Sequence, residues 1–263
     1  MRFAKYHAAG NDFILVNELE ERKVDDKSDF SRKYCNRYKG IGADGAIFLQ
    51  SSDSADLKFR LFQPDGSEAD MSGNGMRCLV RFALDEGIIE KSEFSVETGS
   101  GLKSISVNGD RISVNMGEPT FDPEKIPSVR KLINESLEGY RVTACNTGVP
   151  HIVIFCEDIQ AVDVEKEAPK IRHSDVFPEG ANVNFAERDS DGFTIKTFER
   201  GVESETLSCG TGSVAVAAAA RKLGKINDKT SIGSEGGEMN VLFEDGEALL
   251  QGYSEKVFEG IID

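Results

Sequence analysis

The chain has 263 residues, 39% of them hydrophobic, which is enough to form the core of one large domain or of two domains of ordinary size. Its 46 acidic residues outnumber its 31 lysines and arginines, giving a formal net charge of −15. Nucleic-acid binding needs a concentrated basic face, and the sequence contains no basic run that could form one. Nucleic acid is therefore excluded as a partner, and the acidic excess is expected to serve solubility.

The chain has five cysteines, Cys35, Cys78, Cys145, Cys156 and Cys209. Their odd number, their wide spacing and the lack of a Cys-X-X-Cys pair argue against a disulfide framework or a zinc site. The first residues, "MRFAKYHAAGNDF", lack the apolar core of a signal peptide, and no apolar run is long enough to span a membrane. We predict a soluble cytoplasmic protein with reduced thiols and no membrane partner.

In chain order, residues 1–115 are predicted to form mostly short strands. Segments such as "RFAKYHA", "FILVN", "AIFLQ" and "FSVET" combine alternating and continuous apolar residues, as strands do. A helix is predicted to interrupt them over residues 76–87, "MRCLVRFALDEG", because its apolar residues fit one helical face. Gly87 is suited to end this helix.

The pattern changes between residues 117 and 140, where "GEPTFDPEKIP" contains three prolines and predicts a crossover linker. Strand-like segments then resume with "YRVTACNTGVPHIVIFC", "ANVNFAE" and "GFTIKTFER", and a second helix is predicted to begin at Gly210. The strands "MNVLFED", "EALLQGY" and "KVFEGIID" follow. Because both halves contain strands, a Gly-X-Gly turn, one long helix and more strands, the order of features predicts an internal duplication.

Each predicted long helix follows a similar turn, "EADMSGNGMRCLVRF" over residues 68–82 and "ETLSCGTGSVAVAAAA" over residues 205–220. A helix N-terminus has unpaired N–H groups and a partial positive charge, so it can bind a carboxylate. We expect it also to lower the pKa of a thiol placed there. Cys209 occupies that place in the second turn, whereas Ser72 occupies it in the first.

The second turn is compatible with two other interpretations. Cys209 could be a small buried residue beside a tight turn, as free cysteines often are. A phosphate-binding loop is disfavoured, because "SCGTGS" lacks the lysine and the length of a Walker A loop and no Gly-X-Gly-X-X-Gly occurs.

Six motifs, in order and spanning nearly the whole chain, resemble those of the diaminopimelate epimerase family. They are "HAAGNDFILVN" (7–17), "GIGADG" (40–45), "DGSEADMSGNGMRC" (65–78), "NTGVPH" (146–151), "GANVNF" (180–185) and "ERGVESETLSCGTG" (199–212). The resemblance implies an α+β fold of two similar duplicated domains, each a barrel-like mixed sheet around a central helix, with the active site between them. We expect one domain over residues 1–118, completed by a strand at about 253–263, and the other over residues 119–252.

The resemblance also implies the reaction, the cofactor-independent epimerisation of LL-diaminopimelate to meso-diaminopimelate in lysine or cell-wall synthesis. One cysteine thiolate removes the α-proton while a second cysteine delivers a proton to the opposite face. No metal or pyridoxal phosphate is needed, and the partners implied are the small-molecule substrate and a second copy in a homodimer. Thiols suit this task because they titrate near pH ~8.5, so modest tuning lets one act as the base and the other as the acid.

The resemblance assigns the catalytic positions to Cys209, Ser72 (in place of the second cysteine), His151 and Glu199. It assigns substrate binding to Asn11, Gln63, Gly73, Asn74, Asn182, Glu199, Arg200, Gly210 and Thr211. Plainer roles stay open for three of these residues. Asn11 could fix a turn, His151 could be a hydrogen-bonded structural histidine, and Arg200 could form a surface salt bridge. The four cysteines other than Cys209 are predicted to be structural.

Three residues depart from the family pattern. Ser72 stands where the family has a cysteine, and an alcohol is far too weak an acid for its oxygen to act readily as a base at the α-carbon. Gln63 and Val149 stand where the family often has asparagines that contact the distal end of the substrate. Gln63 keeps an amide that can donate and accept hydrogen bonds, whereas Val149 has none.

These departures leave alternatives open. Ser72 is either a replacement introduced into the chain or a natural residue of a one-sided enzyme. In the related proline racemase superfamily, loss of one cysteine accompanies dehydration of hydroxyproline. The chain could therefore be a racemase or dehydratase acting on another amino acid, such as lysine or histidine, or a non-catalytic amino-acid-binding relative.

Overall fold

The structure is a computed structural model that describes residues 1–262, and the chain divides into two compact units. The first unit contains Met1–Asn115 together with the C-terminal segment that begins at Gly252. The second unit is Met116–Gln251. Within residues 1–262, no helix has the length and apolar character needed to cross a membrane.

The first unit contains the strands that the sequence predicts for residues 1–115, one further short strand and two helices. In chain order they are β1 (Arg2–Ala8), β2 (Asn11–Glu18), α1 (Lys27–Tyr34), β3 (Gly45–Gln50), β4 (Leu57–Phe62), β5 (Glu68–Ala69), α2 (Gly73–Asp85), β6 (Glu93–Thr98), β7 (Gly101–Asn108) and β8 (Arg111–Gly117).

The second unit repeats this succession, and one further strand returns to the first unit. The elements are β9 (Ile133–Leu137), β10 (Tyr140–Asn146), β11 (Pro150–Cys156), α3 (Val164–Arg172), β12 (Asn182–Arg188), β13 (Gly192–Glu199), β14 (Ser204–Thr206), α4 (Gly210–Lys222), β15 (Lys229–Ser234), β16 (Gly237–Glu244), β17 (Glu247–Gly252) and β18 (Glu255–Ile261).

Strand pairing is the same in both units. In the first, β1 pairs antiparallel with β18 and β2, β2 pairs parallel with β3, and β4 pairs parallel with β6. In the second, β10 pairs antiparallel with β9 and β11, β11 pairs parallel with β12, and β13 pairs parallel with β15. Each parallel pair is joined through a helix, as parallel connections require. The predicted α+β class and the predicted duplication are both confirmed.

One helix in each unit packs inside its sheet. Helix α2 packs on β1 to β4 and on β18, whereas α4 packs on β10, β11, β12, β15 and β16. In α4 the residues from Gly212 to Ala220 are all buried, so the helix is apolar on every side rather than along one stripe. The run of alanines keeps this helix thin enough for strands to surround it.

The two central helices begin and end near the predicted places. Helix α4 begins at Gly210 as predicted, but α2 begins at Gly73, ahead of the predicted residue 76. Gly87 follows the C-cap of α2 with a φ of +66°, a left-handed conformation that favours glycine and ends the helix.

Six elements were missed by the sequence analysis: helices α1 and α3 and strands β5, β9, β14 and β15. Helices α1 and α3 are short and mostly polar, and each begins after an aspartate, Asp26 and Asp163, whose side chain caps a backbone N–H. Strand β9 lies within the segment predicted to be a linker, and β5 and β14 contain only two and three residues, too few to show alternation. Helix α3 buries Val164, Ala168 and Ile171 at helical spacing, so its periodicity as well as its cap could have indicated it.

Close backbone packing between β13 and β15 predicts unequal effects for one substitution at two neighbouring glycines. A Cβ at Gly192 would lie 2.0 Å from the Ser231 carbonyl oxygen, whereas a Cβ at Gly233 would meet nothing closer than 3.8 Å. We expect Gly192→Ala to lower the free energy of unfolding by about 1–3 kcal/mol, because the backbone must shift. Gly233→Ala is the matched control and is expected to change it by less than about 0.5 kcal/mol. Urea denaturation measures both, and equal losses would contradict the strand packing described.

Candidate active site

The N-termini of the two central helices have the same local structure. Ser72 is the N-cap of α2, and its Oγ accepts a hydrogen bond from the Gly75 N–H at 3.1 Å. Cys209 is the N-cap of α4, and its Sγ accepts one from the Gly212 N–H at 3.4 Å. Both caps have extended backbone conformations, as N-caps normally do. Position 72 is therefore the structural counterpart of Cys209.

The thiol of Cys209 is buried and lies close to an acidic side chain. Burial raises its pKa, and the nearby Glu199 carboxylate raises it further, whereas Thr211 and the Gly212 N–H oppose the shift. The Gly212 N–H at the helix start lowers this pKa, as expected of a helix N-terminus, but burial and Glu199 make the net shift of the pKa upward. Desolvation of a buried thiolate outweighs the favourable contacts at the helix start. The thiol is thus protonated at neutral pH.

Glu199 is the last residue of β13, and its side chain is held by β14, the strand that follows the next turn. The Thr206 hydroxyl donates to Glu199 Oε1 at 2.6 Å, and Glu199 and Ser204 face each other across the β13–β14 pair. The turn is also tied to α3, since Arg172 forms an ion pair with Glu203. These contacts fix the carboxylate close to the thiol of Cys209, whose pKa it raises.

His151 is fully buried on β11 and lies between two asparagines of β12. Its Nε2 lies 3.4 Å from Asn182 Nδ2, and its Nδ1 lies 3.0 Å from Asn184 Nδ2. Burial lowers the pKa of His151 to about 3, although the Asn184 contact opposes the shift. The imidazole is therefore neutral at physiological pH.

In the first unit a chain of hydrogen bonds orients the predicted binding residues Asn11 and Asn74. Arg77 Nη2 donates to Asn74 Oδ1 at 2.7 Å, and Asn74 Nδ2 lies 3.4 Å from Asn11 Oδ1. Asn11 Nδ2 in turn donates to Asp44 Oδ2 at 2.7 Å. Because a guanidinium only donates and a carboxylate only accepts, the two ends determine which way each amide points.

Arg77 is a charged residue in the interior of the first unit. It has no exposed surface, and burial lowers its pKa to about 10, so it stays protonated at neutral pH. Gly252 makes room for it, because a Cβ there would lie 3.1 Å from Arg77 Nε. A side chain at position 252 would therefore require the Arg77 guanidinium to shift by a few tenths of an ångström.

Arg200 follows Glu199 and is half-buried. Its backbone N–H donates to Asn182 Oδ1 at 2.7 Å, while its Nη1 makes only long contacts, 3.4 Å each, with the carbonyl oxygens of Glu179 and Gly180. Among residues 1–262, no carboxylate forms an ion pair with this guanidinium. The surface salt bridge that was an alternative for Arg200 is absent from the part of the chain described.

The remaining predicted binding residues lie at helix starts or in turns. Gly73 and Gly210 are the first residues of α2 and α4, and Thr211 follows Gly210. Gln63 is exposed in the turn between β4 and β5, where its backbone N–H donates to the Ser67 carbonyl oxygen. Val149 is half-buried in the turn before β11.

The other four thiols are protonated, and none of them forms a disulfide. Burial raises the pKa of Cys35 to about 11 and that of Cys78 and Cys145 to about 12, and burial also raises that of the half-buried Cys156. Within residues 1–262, no group of three or more His, Cys, Asp or Glu side chains could hold a metal ion.

The Thr197 hydroxyl also donates to Asn184 Oδ1 at 3.0 Å. The side chains of these networks that the sequence analysis missed are Asp44, Arg77, Asn184, Thr197 and Thr206. Asn184 follows Asn182 by two positions on one strand, so period-2 alternation could have placed both side chains on the same face. For Arg77 the only signal was a charged residue within an apolar helical run.

A cavity in the second unit lies apart from these networks. It measures about 580 Å³, is lined by residues 188–193 and 224–230, and contains none of the predicted site residues. Its wall includes Asp189, Asp191 and Asp228.

The residues Cys209, His151 and Asn74 lie within the two segments that match a family model. The family model for diaminopimelate epimerase matches residues 3–122 and 143–256. The chain belongs to the diaminopimelate epimerase family. A relative named diaminopimelate epimerase from Methanocella arvoryzae is 46% identical, and the match covers 100% of this chain and 97% of that protein. Another of that name, from Methanothrix thermoacetophila, is 47% identical over 100% of this chain and 96% of its own length.

A solved structure supports the fold. The Bacillus anthracis phenazine biosynthesis protein of the PhzF family superimposes with a TM-score of 0.75, covering 100% of this chain and 99% of that one. Its sequence is only 18% identical, so the likeness concerns the fold alone.

The position of Glu199 predicts how the reactivity of Cys209 depends on charge. Since a thiolate is the species that alkylates, iodoacetamide should modify Cys209 slowly at pH 7 and faster as the pH rises. Glu199→Gln removes the neighbouring negative charge and should speed this reaction several-fold at a fixed pH. Peptide-resolved mass spectrometry measures the rate, with Cys156 as the internal control. A Cys209 rate unaffected by Glu199→Gln, at unchanged folding, would show that the carboxylate does not act on the thiol.

Proposed function

We propose that this protein is a diaminopimelate epimerase, an isomerase that interconverts LL-diaminopimelate and meso-diaminopimelate without a cofactor. The observation that carries the proposal is the pair of equivalent helix N-caps, Cys209 and Ser72, in a chain that matches its family over both units. We further propose that it acts in lysine biosynthesis in the cytoplasm as a homodimer.

In the proposed reaction Cys209 works on one face of the substrate α-carbon. As an acid, its S–H bond breaks and the proton passes to the α-carbanion. As a base, its thiolate takes the α-proton while the electron pair of the C–H bond moves toward the substrate carboxylate. Glu199 supports both directions, because its charge keeps the proton on sulfur and its carboxylate can accept the proton when the thiolate must form.

The helix starts are the proposed binding sites of the substrate carboxylate. N–H groups in the first turn of a helix point along its axis with a partial positive charge. Gly73 and Asn74 begin α2, and Gly210 and Thr211 begin α4. Negative charge on the carboxylate grows as the α-proton leaves, so donors placed here stabilise the transition state more than the ground state.

Ser72 leaves the opposite face without an effective acid or base. An alkoxide forms far less readily than a thiolate, so we propose that epimerisation by this chain is slow in both directions. The isomer that presents its α-proton to Cys209 can still exchange that proton with solvent. Proton exchange without inversion is therefore the expected behaviour of the chain.

Replacing Ser72 by cysteine tests this account. Ser72→Cys should raise the rate of epimerisation by at least about 10²-fold, since a positioned acid–base group typically contributes about 10²–10⁴-fold. Chiral chromatography follows diaminopimelate stereochemistry, and NMR follows α-deuterium uptake. Ser67→Cys adds a thiol to an exposed turn and serves as the matched control, with no gain expected. A folded, ligand-binding Ser72→Cys variant that does not invert the substrate would overturn the two-thiol mechanism.

Arg200 is the proposed partner of the distal carboxylate, because its guanidinium is half-buried and forms no ion pair among the described residues. Arg200→Lys keeps the charge but loses the planar fork that binds a carboxylate through two hydrogen bonds. We expect diaminopimelate to bind more weakly by about 1.5–3 kcal/mol. Lysine, which lacks that carboxylate, should lose much less.

Isothermal titration of both ligands measures the difference. Arg188→Lys, at the exposed end of β12, is the control and should change neither affinity. Equal losses for diaminopimelate and lysine would mean that Arg200 only supports the fold of its turn.

A second candidate is a racemase or dehydratase for another amino acid, or a binding protein that has lost catalysis. Val149 favours it, because an apolar side chain stands where the family often offers an amide. Either alternative requires that the Ser72→Cys variant leaves diaminopimelate unchanged. Exchange of the α-proton of another amino acid would then indicate a racemase or dehydratase, and no exchange with any amino acid would indicate a binding protein.

A further inference from the structure

The hydroxyl of Thr206 is a hydrogen-bond donor to the carboxylate that lies beside Cys209. It donates to Glu199 Oε1 at 2.6 Å, a distance typical of a charge-assisted bond between a hydroxyl and a carboxylate. The Cys209 thiol also donates a hydrogen bond to the Glu199 side chain. One carboxylate therefore accepts from Thr206 and from the thiol with which it shares a proton in the proposed reaction.

Strand pairing brings Thr206 and Glu199 together. In the antiparallel pair of β13 and β14, Ser204 lies opposite Glu199 and Thr206 lies opposite Thr197. Thr206 is thus the diagonal neighbour of Glu199 on one face of the pair, a separation that a long side chain can bridge. The chain then reaches Cys209, the N-cap of α4, three residues after Thr206.

The duplication provides an internal comparison for Thr206. Ala69 in β5 and Thr206 in β14 each lie three residues before the N-cap of a central helix. Ala69 pairs with Leu61 as Thr206 pairs with Thr197. The first unit therefore forms the same strand pair without a hydroxyl at this position.

The first unit also lacks the carboxylate and the thiol. Gln63 takes the place of Glu199, since each follows a phenylalanine that pairs with a glutamate of the short strand. Ser72 takes the place of Cys209. The hydroxyl of Thr206 thus accompanies the thiol and the carboxylate, and the fold of a unit does not require it.

A hydrogen bond from a hydroxyl to a carboxylate stabilises the charged form of the carboxylate. If this bond is lost, Glu199 accepts the proton of Cys209 more readily. In that transfer the S–H bond breaks, an O–H bond forms, and the negative charge passes from oxygen to sulfur. Thr206 therefore opposes formation of the Cys209 thiolate.

We propose, on the basis of the proposed function, that Thr206 is a positioning residue that keeps Glu199 ionised and aimed at Cys209. The proton that these two side chains share is then held on sulfur in the protein without substrate. Thr206 does not contact the reacting atoms of the substrate and acts through Glu199.

A second threonine acts on the same thiol in the opposite direction. Thr211 Oγ1 lies 3.4 Å from Cys209 Sγ, and this contact lowers the pKa of Cys209, whereas the Glu199 charge raises it. Thr211 thus favours the thiolate directly, and Thr206 disfavours it through the carboxylate.

The rate at which iodoacetamide modifies Cys209 tests the proposal without any substrate. Thr206→Val removes the hydroxyl at nearly constant volume. We expect it to raise the rate at pH 7 about tenfold, the change produced by loss of one hydrogen bond to a charged group. Thr206→Ser keeps the hydroxyl and should retain the parent rate. Peptide-resolved mass spectrometry measures the rates, with Cys156 as the internal control.

A double-mutant cycle separates this effect from a change in access to the thiol. In a Glu199→Gln background the hydroxyl has no carboxylate to stabilise, so Thr206→Val should no longer change the rate. Equal acceleration in both backgrounds would overturn the proposal, because valine would then only open a path to Cys209. An unchanged rate for Thr206→Val in the parent chain would overturn it as well.

Thr194→Val is the matched control. Thr194 lies on the same strand as Glu199, and its hydroxyl donates to Asp189 Oδ2 at 3.2 Å. This variant loses a threonine–carboxylate bond of the same kind near the other end of β13 and should leave the Cys209 rate unchanged. Acceleration equal to that of Thr206→Val would assign the effect to general loosening of β13 and overturn the proposal.

Uptake of solvent deuterium at the α-carbon of diaminopimelate measures the consequence for the proposed reaction. Because the thiolate is the base, Thr206→Val should raise kcat for this exchange and leave KM nearly unchanged. A raised KM with an unchanged kcat would mean that Thr206 contributes to substrate binding instead. If the parent chain exchanges no α-proton of diaminopimelate, the proposed function fails, while the alkylation rates still decide the role of Thr206.

Discussion

The unpaired N–H groups at the starts of the two central helices are the constraint on which the rest of the structure depends. Helices α2 and α4 lie inside their sheets, where N–H groups without partners are costly. Each start therefore needs an acceptor, and Ser72 and Cys209 supply one each. The same shortage of acceptors makes these places suited to an anionic ligand. Capping and the proposed carboxylate binding are thus two consequences of one arrangement.

The fold and the proposed chemistry place different requirements on the two N-cap positions. The fold needs a hydrogen-bond acceptor there, whereas the chemistry needs an acidic group. A hydroxyl caps a helix at least as well as a thiol does, so Ser72 fits the structure of the first unit without strain. The difference between the units lies in acidity. Cys209 is buried beside Glu199, which keeps its proton on sulfur, and a serine in the same setting would exchange no proton. In the proposed mechanism, position 72 therefore affects the reaction and leaves the fold intact.

Both units orient buried amides by groups that have only one hydrogen-bonding role. In the first unit, Arg77 and Asp44 stand at the two ends of a chain through Asn74 and Asn11. In the second, the Ile152 carbonyl and the Arg200 N–H orient Asn184 and Asn182. An asparagine amide can flip by 180°, which exchanges its oxygen and its nitrogen with little change in shape. Neighbouring groups that can only donate or only accept therefore hold each amide in one orientation.

The sequence by itself determined the duplication, the start of α4, and the places of Cys209 and Ser72, because hydrophobic periodicity and Gly-X-Gly turns are local signals. It did not indicate α1, α3, β5, β9, β14 or β15, which are short and mostly polar elements. Tertiary structure alone decided which polar side chains meet. Strand register pairs Asn184 with Thr197, and burial reverses the pKa shift expected for Cys209. Register and burial depend on residues distant in the chain, so no short segment carries that information.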